Sequence, residues 1–144
     1  MKVNKHKRFD QVEDYVEQAE SLGLINNDVR RSAMGSLQEY GFPGIKTEAW
    51  KYTNVKNIVK QAFVSCEQAE FSSAAVEKHL IDGALHLVFV NGYFQEEYFV
   101  REHDSVMIEP IDEGHSLYST LTPIESPGFI ALNTMINQHA YCIE

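Results

Sequence analysis

Apolar residues recur at three- and four-residue steps through the first third of the chain, and then the period changes. Phe9, Val12, Val16, Ala19 and Leu22 share one side of a run whose other faces carry Glu13, Asp14, Glu17 and Glu20. That pattern predicts an amphipathic helix ending near Gly23. Asn27 or Asp28 can cap a second helix whose apolar side includes Val29, Ala33, Leu37 and Tyr40. Gly41 suits its C-terminal stop, because glycine adopts the left-handed conformation without a Cβ penalty. Pro43 lacks an amide hydrogen and biases Phe42 toward extended backbone, so this helix cannot run on. A short aromatic connector comes next, and its Trp50 and Tyr52 are large enough to anchor it against the core. Thr53 can cap a third helix to about Gln61, with Val55, Ile58 and Val59 as its apolar face.

Residues 64–72 have mixed character and read as loop, or at most as a short strand over 63–66. Ser72 or Ser73 then caps a short helix over 74–80. From Leu85 a nearly continuous apolar run reaches Val90, and Asn91-Gly92 is a strong hairpin signal. Residues 93–100 return as the partner strand, with Gln95 and Glu97 on one face and Phe94, Tyr98 and Val100 on the other. A third strand covers 106–111, its Pro110 suiting a strand end or an edge. Residues 112–127 form an irregular connection, 129–137 are helical by period, and 140–144 can start one more strand. The expectation is an α+β fold: N-terminal helices, then a small, mainly antiparallel sheet around the Asn91-Gly92 hairpin. One domain covers 1–144, with 1–62 mainly helical and 63–144 mixed and strand-rich.

Charge narrows the partners. The net charge is −9, and residues 1–78 balance eleven Lys/Arg against eleven Asp/Glu. From His79 onward one base, Arg101, faces ten acids, which accounts for the whole excess. Such a half repels phosphate backbones and argues against nucleic-acid binding. Four bases within residues 2–8 read as a solvated terminus rather than as a contact for an acidic surface. No apolar run approaches the roughly 20 residues that span a bilayer. The basic N-terminus has no apolar segment behind it to make a secretory signal, so a cytoplasmic, non-membrane protein is expected.

Candidate chemistry is sparse. Cys66 and Cys142 are far apart and form no C-x-x-C. His139, Cys142 and Glu144 are the tightest group of potential metal ligands, but zinc or iron needs three or four that converge. They read as a turn histidine and a small buried thiol. His103-Asp104 reads as solvated loop. Cys66 as a nucleophile, with His79 or His86 as base, is disfavoured by Glu67 and Glu70, which raise its pKa if close. Glu96 and Glu97, adjacent in a strand, would point to opposite faces and cannot share a proton. No P-loop, G-x-S-x-G or H-E-x-x-H is present. Trp50, Lys51 and Tyr52 make either a partner surface or, the better reading, a pin holding the helical part on the sheet, with Lys51 in water. Lys46 and Glu48 can pair across the turn, for well under about 1 kcal/mol if exposed. Neither a catalytic residue nor a cofactor follows.

Three segments carry a resemblance. Gly41-Phe42-Pro43-Gly44-Ile45-Lys46-Thr47-Glu48-Ala49-Trp50-Lys51-Tyr52-Thr53 resembles the N-terminal signature of the SufB/SufD family of iron–sulfur cluster assembly proteins, in its SufD-like form. Leu87-Val88-Phe89-Val90-Asn91-Gly92-Tyr93-Phe94 is similar to the family's hydrophobic strand followed by (N/D)-G. Phe129-Ile130-Ala131-Leu132-Asn133-Thr134 is similar to its F-x-A-L-N element. Ile45 departs from the pattern, since the family often has a basic residue there. The resemblance implies a non-enzymatic scaffold component in a complex where SufD pairs with SufB and both engage the ATPase SufC. The family's cluster ligands and pairing surface belong to a β-helical core, and its ATPase contact to C-terminal helices. Both are expected to lie outside these 144 residues. The positions that transfer are Phe42, Pro43, Lys46, Thr47, Glu48, Trp50, Lys51 and Tyr52, in a structural or partner-contact role. A stand-alone protein-binding module without a cluster-assembly role is the alternative; it would require an exposed Trp50. A last strand left with an unpaired edge would further allow self-association.

Overall fold

The computed structural model describes residues 12–62, 64, 66–98, 106–122, 124 and 128–144. The fold is α+β, in two compact units. Of the described residues, one unit comprises those up to Val64 and those within Asp112–Gln138; the other comprises those within Ser65–Ile111 and His139–Glu144.

The first unit is helical. Helix α1 spans Val12–Ser21 and α2 spans Asp28–Tyr40. Asn27 is the N-cap of α2, its side-chain oxygen accepting the Arg30 amide at 2.8 Å. Gly41 closes α2 with φ 64° and donates its amide to the Leu37 carbonyl at 2.9 Å, as its place after the apolar run led us to expect. Helix α3 is a single turn, Lys56–Val59, and α5 spans Phe129–Ile136. The core is Tyr15, Val16 and Ala19 from α1, Ala33 and Leu37 from α2, and Ala131 and Met135 from α5. Leu37 and Met135 are wholly inside, so α2 and α5 form its centre.

Burial departs from the apolar period at several positions. Tyr15 is buried and its hydroxyl donates to the carbonyls of Val59, at 2.9 Å, and Gln61. Burial, with Asp14 adding to it, raises its pKa. Leu22 and Tyr40, expected on core faces, are exposed. Arg30, three residues before Ala33 and seven before Leu37 and so on their side of α2, is 7% exposed. Its guanidinium donates to the carbonyls of Met135, at 3.1 Å, and Asn137, at 2.6 Å, and pairs with Glu113 at 3.2 Å. It thereby satisfies backbone oxygens at the C-terminal end of α5 and brings positive charge to the negative end of that helix.

The second unit holds the short helix α4, Ser73–Glu77, and all the described strands. Strands β1, Phe89–Val90, and β2, Tyr93–Phe94, pair antiparallel across Asn91-Gly92. Both turn residues have positive φ, 52° and 86°, as a two-residue hairpin loop of this kind requires. Strands β3, Ile108–Ile111, and β4, Ala140–Ile143, form a second antiparallel pair in the register Ile108↔Ile143 through Ile111↔Ala140. The return strand is shorter than its expected 93–100. After Phe94 the chain enters a 3₁₀ turn at Glu96–Tyr98, where the Tyr98 ring packs on Phe71 at 5.8 Å. Glu96 and Glu97 therefore lie in a turn rather than on two faces of a strand. No strand forms at the described residues between 64 and 72.

Candidate functional site

The connector after α2 is built from consecutive tight turns. Thr47 donates its amide to the Gly44 carbonyl, Trp50 to Thr47, Lys51 to Glu48 and Thr53 to Trp50, at 2.8–3.3 Å. Asn54, and not Thr53, supplies the side-chain oxygen at the start of α3: its Oδ1 accepts the Lys56 amide at 3.0 Å. Val55 alone of the three apolar residues expected on α3 is buried, and Ile58 is half exposed. A single helical turn presents too narrow a face to bury all three.

Inward, the connector is held by rings. Phe42 meets Tyr15 edge-on at 5.2 Å and Phe129 at 5.6 Å, and Trp50 meets Phe129 at 5.7 Å. Such contacts contribute about 0.5–1.5 kcal/mol each beyond burial. Pro43 is buried against Gly128, where a Cβ would stand 3.1 Å from the proline Cδ. Gly128 has φ 122°, which L side chains rarely adopt. Two of the three segments that carried the resemblance thus pack on each other, Phe42, Pro43 and Trp50 against the start of α5.

Outward, the connector is polar apart from Ile45, Ala49 and Tyr52. Lys46, Glu48 and Lys51 are exposed and Thr47 is half-buried. Lys46 and Glu48 make no ion pair with each other. Tyr52, expected as a core anchor, is 93% exposed, and the Lys51 ammonium lies 5.6 Å from its ring centroid. Trp50 is half-buried on Phe129 of α5, so its anchor point is a helix and not a sheet. Ile45, noted in the sequence only as a departure from the family pattern, is 65% exposed, and Gly128 was not singled out. The Pro127-Gly128 pair ahead of an apolar helix was the available signal for Gly128.

The other chemical candidates are dispersed. The Cys142 thiol is buried and approaches Glu144 Oε1 at 3.9 Å; burial, then Glu144 and Glu109, raise its pKa and keep it protonated. The His139 ring lies against Tyr93, 4.7 Å between centroids. No three of His, Cys, Asp and Glu converge among the described residues. Cys66 is exposed, and its backbone carbonyl accepts the Tyr93 hydroxyl at 3.3 Å. His86 Nε2 accepts the Ile81 amide at 2.7 Å, which occupies the nitrogen a base would use. His103-Asp104 lies outside the described residues. No described helix is long and apolar enough to cross a membrane.

No curated protein and no solved structure matches the chain. A family model does, that of the SufBD protein N-terminal region, over residues 3–143.

Proposed function

Because the chain belongs to the SufBD protein N-terminal region family, we propose that it is the N-terminal structural and interaction part of an iron–sulfur cluster assembly scaffold, with no catalysis of its own. The observation that carries this reading is the extent of the match, which covers residues 3–143 and so includes both compact units. The packing of the G-F-P segment on the F-x-A-L-N helix supports it, since these are two of the segments that carry the resemblance. Phe42, Pro43 and Trp50 then have an architectural role, and Lys46, Thr47, Glu48, Lys51 and Tyr52 shape the outer side of the same turn. None of the eight is a histidine or cysteine. The partners are SufB-like and SufC-like proteins in the cytoplasm.

Binding of the chain to a purified SufB–SufC complex tests the reading, with a longer SufD as positive control. Saturable binding at micromolar concentration is expected; none at high micromolar concentration would remove the interaction role. The stand-alone module gains nothing from Trp50, which is half-buried on Phe129 rather than presented to a partner.

A further inference from the structure

We propose that the outer side of the connector, Ile45, Lys46, Lys51 and Tyr52, is a docking point for an acidic protein surface with an apolar slot for the tyrosine ring. The inference rests on the scaffold reading for its first probe and adds to it the face used and the chemistry of what is met.

Packing does not explain these side chains. Tyr52 is 93% and Ile45 65% exposed, in a segment whose Phe42, Pro43 and Trp50 already anchor it. The backbone beneath them is tied by four consecutive turn hydrogen bonds. An exposed aromatic on a rigid loop loses little conformational entropy on binding, and tyrosine has few torsions to freeze. Tyrosine with a neighbouring cation is also the composition of interface hot spots. Charge selects the occupant. From residue 46 to residue 60 the chain carries Lys46, Lys51, Lys56 and Lys60, all exposed, against Glu48 alone. Lys51 stands over the Tyr52 ring, so the hydrophobic contact and the positive charge arrive together. The matching surface presents carboxylates around an apolar recess. A phosphate backbone matches less well, because the chain as a whole carries −9.

The test measures affinity for the SufB–SufC complex with Tyr52→Ala, with Lys46→Glu/Lys51→Glu, and with Lys78→Glu as a charge control on the other unit. Tyr52→Ala is expected to weaken binding at least about tenfold. The double reversal weakens it further and flattens its salt dependence, whereas Lys78→Glu leaves it unchanged. All these side chains are exposed, so each variant keeps the wild-type melting temperature. Equal affinity across the variants would overturn the docking point and leave the scaffold reading standing. Absence of wild-type binding would overturn the scaffold reading, and the docking point is then decided by a random copolymer of glutamate and tyrosine. Amide shifts centred on residues 45–60 and lost in Tyr52→Ala support it, and no shifts overturn it. A single-stranded oligothymidylate that outcompetes the copolymer would overturn the acidic-protein assignment.

Discussion

Arg30 ties the two ends of the helical unit together with one side chain. Its guanidinium reaches Met135 and Asn137 carbonyls and the Glu113 carboxylate from a site that is 7% exposed. Arg30→Met would leave those oxygens unpaired, and we expect a loss of about 2–4 kcal/mol in urea unfolding. A loss under about 0.5 kcal/mol would mean that water replaces the guanidinium. Glu113 adds a pH signature. Its carboxyl titrates below the ordinary glutamate range, held there first by its own backbone amide and then by Arg30. A carboxyl lowered in the folded state stabilises above its unfolded pKa and ceases to as pH falls through its folded one. The side chain is 35% exposed, so solvent screens the pair and the contribution is about 1 kcal/mol or less. The stability gap between wild type and Glu113→Gln should therefore be present at neutral pH and vanish as the solution is acidified below the ordinary value of 4.5. A gap that persists in acid would show that the carboxylate is not the cause. Neither Arg30 nor Tyr52 was legible in advance. Hydropathy sends an arginine to solvent whatever its position on a helix, and ring size sends a tyrosine to the core. What reversed both is tertiary: carbonyls at the end of α5, and a connector already filled by Phe42 and Trp50.

Among elements, those whose ends are set by local chemistry were readable. Asn27 acts through its own side chain and Gly41 and Asn91-Gly92 through their own backbone, and the structure places each where the sequence put it. Elements whose ends depend on distant partners were not. Strand β2 stops at Phe94 because Tyr98 turns toward Phe71, a residue in a stretch without any period. The pairing of β3 with β4 joins strands that no local signal could match. In the signature, the aromatic residues were legible and their receiver was not. Gly128 is that receiver, and Gly128→Ala meets both a positive φ and the Pro43 ring. We expect a loss of about 1–3 kcal/mol, tracked through the emission of Trp50, which should shift to the red as its contact with Phe129 is released. Unchanged stability would mean that the start of α5 can move away from Pro43 at little cost.

At the scale of the molecule, burial is uneven. The core cluster lies wholly in the helical unit, whereas the buried described residues of the other unit are Gln95 and Cys142. Local opening is easiest where little apolar surface is lost. Amide exchange should accordingly be slowest in α2 and α5 and fastest in β1 and β2; protection that is uniform across both units would contradict this. The helical unit is also discontinuous, its last helix arriving after strands β1, β2 and β3. Arg30 and Met135, in hydrogen-bond contact, are 105 residues apart in sequence. At ~5–20 residues per second, a ribosome needs ~5–20 s to deliver the second after the first. Throughout that interval Ala33 and Leu37 have no α5 to cover them. During synthesis the chain therefore carries an open apolar helix face for seconds, a natural target for holdase chaperones and the step at which nascent copies are most apt to stick to one another.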